Sequence, residues 1–198
     1  MTKLFSNKKL AYVLIGVLCA LQLTQSIANW CGGGFNGGSL ILCILMLGLL
    51  TLVGVGIAKK NKLLTIVSGV SILSVVIYVL TNNYSGTIKI WSEGQYPIGV
   101  LMGSVFGSIG TLLLVGSFVL MVLRVIGITK NLKTINTVFS LIATLMFLLV
   151  IIMFFATGGV SDSAFTIYVK IHHLALDFFS VFVALLIPCV WHQVEAKE

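Results

Sequence analysis

Apolar positions along this chain follow neither the two-residue rhythm of a half-buried strand nor the one-sided stripe of a surface helix. They gather into long unbroken runs separated by short polar breaks. Crossing a hydrocarbon core roughly 30 Å thick takes about 20 mostly apolar residues in helix, and continuous runs without alternation exclude a barrel. Six stretches qualify: Leu10 to Asn29, Leu40 to Ala58, Leu63 to Leu80, Ile98 to Leu123, Ile135 to Ala156, and a last one starting after Ser163 (near residue 165) and ending at Trp191. The expected fold is an all-α membrane protein, a bundle of six transmembrane helices with short loops. It fills residues 1–198 as one transmembrane domain.

The basic residues set an orientation, because positive juxtamembrane side chains are retained in the cytoplasm. Lys3, Lys8 and Lys9 precede span one, Lys59, Lys60 and Lys62 separate spans two and three, and Arg124, Lys130 and Lys133 separate spans four and five. Six alternating spans put all of them on one side, with both termini in the cytoplasm. The opposite loops, Trp30 to Gly38, Thr81 to Pro97 and Thr157 to Asp162, hold a single basic residue, Lys89. Lys8, Lys9 and the apolar Leu10 to Leu23, followed by Ser26 and Ala28, also have the make-up of a signal peptide, and cleavage would leave five spans. A retained first span is the expectation.

Composition agrees: 59% of residues are hydrophobic and 9% charged, where a soluble domain carries about 25% charged residues. The net charge of +7 sits at the ends of apolar runs, so nucleic acid is not an expected partner. The expected partners are the lipid bilayer and a second copy or another membrane protein. Which membrane holds the chain is not encoded in these runs.

Cys19, Cys31, Cys43 and Cys189 form no CxxC pair; a Cys31 to Cys43 disulfide is the one pairing open at an oxidising face, and unpaired apolar thiols are the expectation. The Cys31 to Ser39 segment is glycine-rich but lacks a P-loop lysine, so it reads as a flexible turn. Asn83-Tyr84-Ser85 is a glycosylation sequon close to the membrane. Trp30, Tyr84, Trp91, Tyr96 and Trp191 lie near span ends and are expected as interfacial anchors. Pro97 suits the first turn of span four, and Pro188 is expected to kink or unwind span six.

Three constellations bear on chemistry. Gly99, Gly103 and Gly107, continued by Thr111, place small residues on one face of span four, as either a dimerisation face or a packing face within the bundle. Span six carries Lys170, His173 and Asp177 at helical spacing, with His172 about a quarter turn away. Asp177 is the lone carboxylate within an apolar run, and a charged aspartate at the bilayer centre costs at least about 2.5 kcal/mol. It is expected either to bond His173 while Lys170 snorkels outward, or to line an aqueous cavity where His173 tunes its protonation. Span one adds Gln22, Gln25 and Asn29 at matching depth, and Ser68, Ser71 and Ser74 in span three can join either arrangement.

No nucleophile has a base at protease-like spacing, and no metal ligands cluster, so no catalytic residue, metal or other cofactor is expected. Haem or metal held by His172 and His173 is a lesser reading, as is an intramembrane enzyme. Two function classes remain: a small channel or transporter component with a polar outer-half cavity at Asp177, His173, Lys170, Gln22 and Gln25, or an accessory or assembly subunit of a larger membrane complex.

Overall fold

The computed structural model describes residues 5–59, 62–93, 98–125, 132–156 and 167–195. Among these, all regular structure is helical: α1 (Lys8–Gly33), α2 (Gly37–Ala58), α3 (Lys62–Glu93), α4 (Ile98–Val125), α5 (Lys133–Ala156) and α6 (Ile167–Glu195). All six are long and apolar enough to cross a membrane, which fits a multi-pass membrane protein. Lys3, Lys60, Tyr96, Pro97, Lys130 and the Thr157 to Asp162 loop lie outside the described residues.

Local chemistry sets the helix ends. The side-chain oxygen of Asn7 accepts the Lys9 backbone N–H at 2.9 Å to cap α1, and Asn36 accepts that of Gly38 at 2.8 Å to cap α2. The glycine-rich turn is shorter than expected, because α1 runs on to Gly33 and only residues 34–36 separate it from α2. Gly34 takes φ +84°, a left-handed conformation that favours glycine. Trp30 is the pin of this hairpin: its indole N–H donates to Ser39 Oγ and its ring packs on Phe35 at 5.5 Å.

The Thr81 to Pro97 segment was expected to be a loop, and this expectation fails. Instead α3 continues to Glu93. Its polar residues find partners on α4 at steps of four: the Asn83 amide donates to Thr111 Oγ1 at 3.0 Å, Thr87 Oγ1 pairs with Ser108 Oγ at 3.5 Å, and the Trp91 indole N–H donates to Ser104 Oγ at 2.9 Å. A hydroxyl-lined helix alongside supplies the partners that water supplies to a loop. Asn83 of the sequon is thus held within a helix.

Each helix packs on the next, and α6 closes the ring against α1. The contacts show neighbours running antiparallel. Gly54 of α2 faces Ile15 and Tyr12 of α1, the hydroxyl of Ser68 of α3 donates to the Leu52 carbonyl of α2 at 3.5 Å, and Ser117 of α4 meets Ser140 of α5 at 2.6 Å. Gln193 Nε2 donates to the Ser6 carbonyl at 2.8 Å, and the Phe5 and His192 rings stack at 6.5 Å, so both termini lie at one end. Alternation brings the connections after α2 and α4 to that same end. Helix α6 also touches α2, α3 and α4, and 72% of its membrane-length stretch is buried against 33% or less for the others. It is the central helix.

Two expectations about α6 need correction. Trp191 is no interfacial anchor, being 1% exposed and part of the core. The helix does not unwind at Pro188 but runs on through it to Glu195. Cys31 and Cys43 do not pair, in line with the expectation of unpaired thiols; all four cysteines are free.

The glycine face of α4 turns to α5. A Cβ built at Gly103 would sit 3.9 Å from Met153 Cβ, and one at Gly107 would sit 3.7 Å from Val150 Cγ2, both ordinary contacts with side chains rather than backbone. The closest approaches are at Gly110, where a Cβ would lie 3.1 Å from the Phe147 ring and 3.2 Å from Met146 Cβ, and at Gly116, 3.1 Å from the Phe139 ring. We expect Gly103→Ala to be neutral and Gly110→Val to destabilise by about 1–3 kcal/mol through overpacking. Denaturant titration of the purified variants checks this, and equal midpoints would show that the α4–α5 seam yields freely.

Candidate functional site

Polar side chains in an apolar bundle must find partners, and the two glutamines of α1 find few. Gln22 and Gln25, three residues apart on one helix face, are 2% and 3% exposed. Gln22 Nε2 donates to Ser26 Oγ at 3.5 Å. Neither Oε1 has a hydrogen-bond partner. A buried acceptor left unbonded costs about 1–3 kcal/mol, so such a pair is a local excess of acceptors that invites a donor or a positive charge.

Two other helices wall this face. The hydroxyl of Tyr78, from α3, lies close enough to the side chains of Gln25, Gln22 and Asn82 to interact with all three. Asn82 is held one turn beyond it, its amide donating to the Tyr78 carbonyl at 2.8 Å. From α6, His172 Nδ1 lies 3.2 Å from the Gln25 backbone carbonyl. A carbonyl oxygen can only accept, so Nδ1 carries the proton in this bond. Beneath, the Tyr78 ring meets Phe179 edge-on at 5.8 Å, and Phe179 is fully buried. From there to Trp191 the floor is mostly apolar, with Val183, Ala184, Leu186, Ile187 and Val190 all in the core and the buried Ser180 hydroxyl donating to the Leu176 carbonyl at 3.1 Å.

The expected contact between Asp177 and His173 does not form. Asp177 is half-buried, and its carboxylate makes no hydrogen bond or ion pair among the described residues; His173 is exposed and Lys170 half-buried. Five residues separate His172 from Asp177, which is about 140° around the helix and about 7.5 Å along it. The face of α6 that meets Gln25 is therefore the His172 face.

The comparisons with known proteins decide nothing further. No family model, no curated protein and no solved structure matches this chain. Function has to be read from the site.

Sequence reasoning passed over Tyr78 and Asn82, and it placed His172 off the Lys170, His173 and Asp177 face. Tyr78 and Asn82 stand one turn apart at the end of an apolar run, a signal as good as that of the span-three serines. Those serines spend their hydroxyls elsewhere: Ser71 on the Val67 carbonyl at 2.9 Å, Ser74 on that of Val70 at 3.1 Å, and Ser68 on α2. Asn29 is exposed. A second polar clasp, also unforeseen, joins α4 to α5, where Asn136 Nδ2 donates to the Ser117 carbonyl beside the Ser117–Ser140 hydroxyl pair. Gly99 lies in α4, and Gly103, Gly107 and the clasp belong to helix packing.

Among the described residues no three His, Cys, Asp or Glu side chains come together as a metal site. Where α1, α3 and α6 meet, the oxygens brought together are instead neutral amide and hydroxyl ones.

Proposed function

We propose that this protein is a small channel or transporter component with both termini in the cytoplasm, admitting a polar solute from outside into the pocket of Gln22, Gln25, Tyr78 and His172. The observation that carries this reading is the pair of buried, unbonded Gln22 and Gln25 oxygens. A seam serving only to join helices gains most when every polar group is bonded, and unbonded acceptors waste that gain. The apolar core below Phe179 and the tuck of Phe5 and Ser6 against α6 argue for a gated carrier rather than an open pore. Asp177, on the same central helix, supplies an intramembrane charge of the kind that marks transport paths.

The accessory-subunit reading has one observation in its favour. Trp91, Leu101, Met102, Val105 and Phe106 line an apolar cavity of about 260 Å³ beside the α3–α4 seam, which a partner helix could fill.

Thiol accessibility tests both pocket and orientation. With the four native cysteines replaced, Ser26→Cys should react with a membrane-impermeant thiol reagent applied outside intact cells, and Lys59→Cys only after the cytoplasmic face is opened. Protection of Ser26→Cys from both sides would leave a sealed hydrogen-bond seam and remove the solute reading. Labelling of Lys59→Cys from outside would invert the topology.

A further inference from the structure

We propose that the buried polar cluster where α1, α3 and α6 meet opens to bind a monovalent cation through the carboxamide oxygens of Gln22 and Gln25, with the Tyr78 hydroxyl oxygen beside them. This rests on reading the pocket as a solute site and names what that solute is.

Three of the donor atoms around this cluster have partners of their own. Gln22 Nε2 reaches Ser26, Asn82 Nδ2 reaches the Tyr78 carbonyl and His172 Nδ1 reaches the Gln25 carbonyl. The Tyr78 hydroxyl, which neighbours both glutamine side chains, has one proton to offer against the two unbonded oxygens. The surplus is in acceptors, so the missing partner is a donor or a positive charge.

Hardness narrows the class. Neutral amide and hydroxyl oxygens replace the hydration shell of an alkali ion or accept the N–H groups of a primary ammonium. Zinc, copper and iron favour imidazole, thiolate and carboxylate, and among the described residues those do not converge. Charge balance points the same way. A cation at this depth gains from an anion in the same low-dielectric bundle, and the Asp177 carboxylate, unbonded among the described residues, lies on the same helix about 7.5 Å along the axis and about 140° around it from His172. It acts at a distance as a counter-charge and not as a ligand.

The test is thermal unfolding of the full-length protein in nanodiscs, at constant ionic strength, in chloride salts of lithium, sodium, potassium, caesium and methylammonium. N-methyl-D-glucamine chloride, too large for the pocket, is the reference. At a hundredfold excess over Kd, linkage predicts a saturable rise of about 5–10 °C in the midpoint. A rise with one or more alkali ions identifies a metal cation, and a rise with methylammonium alone identifies a protonated amine. The rise should vanish in Gln22→Met/Gln25→Met, which keeps side-chain length and removes both oxygens. In the reference salt that variant should melt no lower than wild type, because two unbonded acceptors are gone. Should it fail to fold, Tyr78→Phe takes its place and should weaken the apparent affinity at least about threefold, by loss of one ligand hydroxyl.

Midpoints equal in all salts would overturn the proposal and leave the two oxygens to a buried water, while Ser26→Cys labelling would still decide whether the pocket is a solute site. A shift that persists in the double variant, or that follows the anion instead, would overturn it as well.

Discussion

Phe179→Ala is expected to destabilise the bundle by about 3–5 kcal/mol, the range for deleting a fully buried aromatic side chain. Lipid tails are as apolar as the side chains they replace, so helices in a membrane are held by contact and not by exclusion of water. Phe179 is fully buried on the central helix and supports Tyr78 edge-on at 5.8 Å. Truncation therefore removes dispersion contacts that nothing else supplies and frees the tyrosine from its floor. Phe178, its neighbour in sequence, is 36% exposed, and Phe178→Ala should change stability by less than about 1 kcal/mol, as surface substitutions do. Reversible unfolding in mixed micelles measures both. Equal losses would mean that α6 is not the packing centre of the ring. Ligand affinity at the pocket should fall in Phe179→Ala and stay unchanged in Phe178→Ala.

The second large effect runs in the opposite direction. Asp177→Asn and Asp177→Leu should each stabilise the protein, by about 1–3 kcal/mol, and the transport reading proposed above requires that they also abolish flux. Insertion scales place the penalty for an aspartate at a helix centre at about 2.5–3.5 kcal/mol, and the partial exposure of Asp177 removes some of it. Nothing among the described residues offsets the rest, because the carboxylate makes no bond there. A residue whose removal improves the fold is retained for what it does, which is the pattern of a stability–function trade-off. Loss of stability in both variants would show that Asp177 is bonded after all and belongs to the framework. Unchanged flux of the bound cation through Asp177→Asn in proteoliposomes would remove it from any transport path.

Much of the architecture was legible because membrane helices advertise themselves by the length of their apolar runs. The run ending at Ala58 and the run from Ile98 coincide with helix limits in the fold. Polar residues were harder to read. Asn83, Thr87 and Trp91 looked like loop because their partners, Thr111, Ser108 and Ser104, lie on another helix, and no local pattern announces a neighbour. The same limit explains the pocket. Spacing put Gln22 and Gln25 on one face and implied that it turns inward, but helical periodicity cannot say which side of α6 it will meet. Choosing Asp177 as the reference point for α6 set aside His172, the residue that reaches Gln25. Likewise, Gly103 and Gly107 fit a recognised spacing while the closest approaches fall at Gly110 and Gly116, where bulky phenylalanines of α5 decide the fit.

Closure of the ring by α1 and α6 has a consequence for how the protein is made. Part of the surface that covers Gln22 and Gln25 comes from α6, and the residues that hold Phe5 and Ser6 are His192 and Gln193, so segments made before α2 depend on one made after α5. Until the final helix is inserted, the polar face of α1 waits in the bilayer with half of its wall missing. Membrane quality control would meet that face in every prematurely terminated chain, and docking of α6 is the event that removes the signal.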